Sequence, residues 1–265
     1  MKTEIDVIEK PDLENPILIE GLPGIGNVGR IAAEYLINQL EAKKFAELYS
    51  PHFMPFVLIH DKEISLLKCD FYYWKNPDGN DFIFLTGDAQ AQDKEGGGHF
   101  EVSNKIIDFC EEMNVEKIFT LGGFGTGKIQ DEVENGTDVF GITTDETLEE
   151  KYSDYNINFK DTSSRIGMIV GATGLLLGIA KKRGIEGVCL MGETAGFPIV
   201  TDPKAAEEVI KVLVEIFDLD IGLEDIEGKV EEMEEFLEKL EKVQKKALKS
   251  AKDKESEGDK LRYIG

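Results

Sequence analysis

Two glycine-rich segments carry the residue types that phosphate chemistry needs. In GLPGIGNVGR, Gly24-x-Gly26-x-x-Gly29 follows a strand-like run and opens a helix-like one. That is where a dinucleotide's pyrophosphate rests on a helix N-terminus and glycine lets the backbone approach it. Glu47 stands about twenty residues on, where a ribose-binding acid would sit. A long β-hairpin pattern follows instead of a second βα crossover, however, and no hydride-transfer set accompanies the motif. The same glycines serve a sharp strand-to-helix turn and close helix packing, the reading that the residues favour. The second segment, Gly122-Gly123-Phe124-Gly125-Thr126-Gly127-Lys128, has P-loop spacing up to the lysine, but Ile129 replaces the magnesium-holding hydroxyl. Asn135-Gly136 then signals a turn where the P-loop helix should run, so ATP or GTP hydrolysis is not expected.

Acids at strand ends are the remaining candidates for chemistry. Asp88 follows FIFLTG, and Glu193 with Thr194 follows VCLMG, positions at which α/β sheets present ligand sites. With Gly24, Gly26, Asn27 and Gly29 they define a candidate ligand cleft. Their commoner use is to cap helices or hold loops. No Gly-x-Ser-x-Gly elbow is present, and His52, His60 and His99 have neither metal-ligand spacing nor an evident nucleophile to serve. Cys69, Cys110 and Cys189 are odd in number and set in apolar stretches, which reads as reduced core thiols. No catalytic residue, metal or cofactor is therefore expected.

The elements that must position these residues alternate between two periods. PILIEG, FAELYS, a hairpin across FVLIHDKEISLLKCDFYYW, FIFLTGD, KIFTLGGF, VFGITT and GVCLMGE read as strands. Helices are expected from about Gly26 to Glu41, His99 to Asn114, Gly174 to Arg183 and Pro203 to Phe217. The class is α/β, with a mixed, largely parallel sheet covered on both faces. Asp202-Pro203 marks a helix start, and Asp218 to Gly222 the exit from a core domain over residues 1–221.

Beyond the core, Ile226, Val230, Met233, Leu237, Leu240 and Ala247 form a narrow apolar stripe among Glu and Lys, which predicts a charged helical arm over 222–249. Residues 250–265 read as a flexible tail, since SAKDKESEGDK lacks apolar mass, and they end on the apolar tip Leu261-Arg262-Tyr263-Ile264-Gly265. Such a tip either folds back on the body or projects to dock. A helix of about 25 residues adds roughly 37 Å of reach, which favours projection. The formal charge of −23 argues against nucleic acid and anionic membrane surfaces. The N-terminus has no apolar leader and no run approaches a membrane span, so the expected location is the cytoplasm.

Taken in order, ILIEGLPGIGNVG, FLTGDAQ, TLGGFGTGK, GETAGFPIVTDPKAA and a charged helix ending in LRYIG resemble the PAC2 family in its archaeal form, the proteasome assembly chaperone homologues. The resemblance covers nearly the whole chain. It implies a three-layer α/β/α core of phosphorylase-like type, a homo-oligomer projecting its C-terminal arms, and the α-subunits of the 20S proteasome as partner. It also implies that a hydrophobic-Tyr-x terminus enters pockets between α-subunits. That role falls here on Tyr263 and the Gly265 carboxylate, flanked by Leu261, Arg262 and Ile264. Tyr263 is third from the end rather than second, and Arg262 stands where an apolar residue is usual. The alternative is a nucleotide- or nucleoside-binding enzyme using the glycine-rich cleft of a phosphorylase-like fold.

Overall fold

The computed structural model describes residues 2–60, 63–92, 96–126, 138–160, 165–194 and 201–222. The predicted arm and tail from residue 223 onward lie outside the described residues, as do Gly127 and Lys128 of the second glycine motif. The described residues belong to one compact unit, Met1–Glu224.

Apolar runs form the centre of an eight-stranded sheet ordered β1-β3-β6-β7-β2-β8-β10-β9. Its strands are β1 (Glu4–Val7), β2 (Ile17–Glu20), β3 (Lys43–Tyr49), β6 (Cys69–Trp74), β7 (Phe82–Gly87), β8 (Lys117–Gly125), β9 (Val139–Thr143) and β10 (Glu186–Thr194). Neighbours β7, β2, β8 and β10 are parallel, whereas β1, β6 and β9 run against them. Every residue of β2 and β7 is buried, as expected of strands covered on both faces.

Helices α1 (Val28–Gln39) and α5 (Pro203–Phe217) pack together, as do α2 (Gly97–Glu112) and α4 (Gly171–Arg183). The alternation along β8 separates the two pairs. Gly122 faces Thr173 of α4, while Gly123 faces Ile25 at the entry to α1. This is the expected three-layer α/β/α arrangement. Asp202 caps α5 through Ala205 N, with Pro203 in the first turn, and Asp218 ends it in the left-handed region. Phe217 closes the core, its ring 4.9 Å from Phe82 and 5.0 Å from Phe119.

The single hairpin expected across residues 56–74 is two structures. β4 (Val57–His60) and β5 (Glu63–Leu66) make a separate two-stranded ribbon, while β6 enters the main sheet between β3 and β7. Cys69 and Phe71 are fully buried, and that apolar alternation places β6 inside the sheet. Strand β1 and the short helix α3 (Glu146–Lys151) were not foreseen, being short and polar segments with little periodic signal.

Among the described glycines, the two with least room for a side chain meet backbone. A Cβ on Gly29 would stand 2.2 Å from the Leu121 carbonyl oxygen, and one on Gly21 would stand 2.1 Å from the Gly29 carbonyl oxygen. Helix α1 therefore rests directly on the main chain of β8. Gly29→Ala must displace the helix, and at least ~2 kcal/mol of stability should be lost. Urea unfolding measures this, and an unchanged midpoint would show that the contact is dispensable.

Candidate functional site

Strand β2 leads through α1 toward β3 at one side of the sheet, whereas β8 continues toward β9 and β10 at the other. Their carboxyl ends therefore bound the crevice in which open α/β sheets hold ligands. Pairing of β2 with β8 stops at Glu20 and Thr120, while β8 runs on to Gly125 beside β10. A cavity of about 360 Å³ occupies the gap.

The cavity walls are mainly apolar: Leu22 and Ile25 follow β2, Phe124 belongs to β8, and Ile166, Met168 and Met191 close the far side. Gln90 and Thr173 also line it, but both are engaged. Gln90 Nε2 donates to the Pro23 carbonyl at 2.7 Å, and its Oε1 accepts from Ala172 N at 2.8 Å. Thr173 Oγ1 donates to the Leu121 carbonyl at 3.3 Å. Gln90 thus straps the loop after β2 to the start of α4. No acid, base or thiol lines the cavity among the described residues, so the arrangement suits an apolar group and offers nothing there to move a proton.

The structure does not gather the six predicted cleft residues into one site. Gly24 lines the cavity. Gly26 lies behind it at φ +62°, and its carbonyl accepts from Asp202 N at 2.8 Å, tying the turn to the start of α5. Asn27 follows, buried and also left-handed at φ 50°. Gly29 is spent on the contact with β8. Asp88 accepts from Lys68 N at 3.1 Å, holding the entry to β6. Burial pushes its carboxyl up, opposed by that amide and by Arg30. Glu193 pairs with Arg165 at 3.2 Å, whose guanidinium stacks 4.8 Å from the Phe140 ring centre. Neither acid lines the cavity: both hold loops.

Glu47 is displaced too. It lies on β3, with β6 and β7 between it and β2, and is bridged by Lys68 and Lys44. A ribose-binding acid belongs on the strand beside the fingerprint, so the dinucleotide pattern is incomplete in space. Gly29 is accounted for by packing on β8 and Gly26 by its left-handed backbone.

Sequence reasoning missed Glu20. This last residue of β2 is fully buried, with Oε1 accepting from Leu22 N at 3.0 Å. Desolvation pushes its carboxyl up to about 8, while the amides of Leu22 and Leu121 and the Thr173 hydroxyl pull the other way. Leu22, Leu121 and Thr173 all line the cavity, so an acid largely neutral at pH 7 lies just beneath its floor. The one available signal was a carboxylate closing the apolar run PILIEG.

The model of the PAC2 family matches residues 18–241 of the chain. The chain belongs to the PAC2 family. A curated relative, an uncharacterised protein of Methanocaldococcus jannaschii, is 40% identical over 96% of this chain and 93% of its own length. Among solved structures, Pyrococcus furiosus PbaB, an archaeal proteasome activator, is 44% identical with a TM-score of 0.80, over 91% of this chain and 99% of that one. P. furiosus PbaA, an archaeal homolog of proteasome-assembly chaperone, is 28% identical with a TM-score of 0.72, over 92% and 99% respectively. Among the described residues of this PAC2 protein, no helix is long and apolar enough to cross a membrane.

Glu20 makes stability depend on pH. Its folded value of about 8 lies above the ordinary 4.5, so the fold binds a proton that the unfolded chain releases. That contribution is complete below about pH 4.5 and is lost as pH rises through about 8. The urea midpoint of the native protein should fall relative to Glu20→Gln between about pH 5 and about pH 9. Parallel profiles would contradict a buried neutral acid.

Proposed function

We propose that this PAC2 protein is a non-enzymatic proteasome assembly chaperone or activator-like adaptor, acting in the cytoplasm as a homo-oligomer that docks its C-terminal tip on the α-subunits of the 20S proteasome. The observation that carries the reading is the likeness to the proteasome activator PbaB across nearly the whole chain. The chemistry of the crevice agrees with it: the cavity walls are apolar, and Asp88 and Glu193 are committed to loop contacts.

Docking falls to residues outside the described set. Leu261, Tyr263 and Ile264 supply apolar surface at the chain end, Arg262 and the Gly265 carboxylate supply charge, and Tyr263 is the anchor. Buried aromatic anchors commonly dominate small interfaces. With several copies in one particle, each tip after the first binds at high effective concentration, so individually weak contacts hold together.

Deleting Leu261 to Gly265 should weaken co-migration with purified α-subunit rings on native gels by about tenfold or more, and Tyr263→Ala should account for most of that loss. Undiminished binding of the truncated chain would remove the tip from the mechanism.

A further inference from the structure

The ribbon of β4 and β5 stands apart from the main sheet, and its register pairs Val57 with Leu66 and Ile59 with Ile64. Strand alternation puts these four side chains on one face and Leu58 with Ser65 on the other. Leu58 is only 5% exposed, which places its face against the body. On the opposite face Ile59 and Ile64 are each 71% exposed, Leu66 49% and Val57 42%. The patch continues into a hollow of about 280 Å³ at the foot of the ribbon, where Val57 and Leu66 meet Phe53, Met54, Pro55 and Phe56.

A two-stranded ribbon is marginal in water even when its outer face is polar. Here that face is entirely β-branched or leucine, the composition of a surface made to be covered. Among the described residues, no ionisable side chain belongs to these four or lines the hollow. We propose that this face and hollow are a self-association surface, covered by the same face of a second copy of the chain. The inference deepens the homo-oligomeric part of the proposed function and rests on it.

Charge and area select this occupant. The chain carries −23, so two copies repel wherever their carboxylates face each other, and an uncharged apolar face is where they can meet. A basic partner drawn by that charge would seek carboxylates, which this face lacks. Four side chains fall short of the ~800 Å² per partner of a standard interface. A twofold arrangement that lays each ribbon across the hollow of the other covers both surfaces at once, as an isologous contact requires.

The test is sedimentation of the full chain by itself, without proteasome. The native protein should sediment as a multiple of 29.5 kDa, and the Ile59→Glu/Ile64→Glu variant should lose at least half of that mass with an unchanged far-ultraviolet circular dichroism spectrum. A native multimer whose mass the double substitution leaves unaltered overturns this surface while leaving the homo-oligomeric reading standing. A native protein that sediments as one chain overturns both. If the double variant fails to fold, Ile64→Cys decides, because Cys69, Cys110 and Cys189 are buried. A short bismaleimide should link its copies into pairs, and absence of linkage overturns the proposal.

Discussion

The fold depends on a contact with no side chain in it. Three backbone segments stack where β2 turns into α1: Gly21 lies under the Gly29 carbonyl, and Gly29 lies on the Leu121 carbonyl of β8. Because even a methyl group would overlap a carbonyl oxygen there, α1 sits closer to the sheet than ordinary side chains allow. That distance sets where the carboxyl ends of β2 and β8 separate, and so where the crevice lies. The second tie, from the Gly26 carbonyl to Asp202 and from Thr194 Oγ1 to Asp202 Oδ2 at 2.7 Å, fixes α5 against the same turn.

Once the turn is closed, its polar groups have little left to offer a ligand. Gln90 bonds to both sides of the cavity, Thr173 points at a carbonyl, and Asp88 and Glu193 hold neighbouring loops. Glu20 is the exception, a carboxyl taken fully out of water at the end of β2. Desolvation raises its carboxyl to about 8, which favours the neutral form over the much larger cost of a buried charge.

Much of this was legible in the residues because periodicity and punctuation survive without tertiary context. The apolar runs of β2 and β7, the Asp202-Pro203 start of α5 and the break after Phe217 were all visible as patterns. The glycines from Gly24 to Gly29 read both as a tight turn and as part of a dinucleotide fingerprint in the sequence, and only the structure shows that Glu47 is two strands out of place. What failed to show was set by pairing rather than by local sequence. Nothing local says that β6 leaves the ribbon for the main sheet, nor that the loop partners of Asp88 and Glu193 are Lys68 and Arg165. Glu20 was hidden because an acid at a strand end reads as exposed until the strands around it are known.

The likeness to a proteasome activator is what the adaptor reading rests on. The most direct measurement is interferometry of the intact chain against immobilised, purified 20S proteasomes from its own source. Saturable binding that free chain competes away is the predicted result, and no binding above that of an unrelated acidic protein would contradict the account.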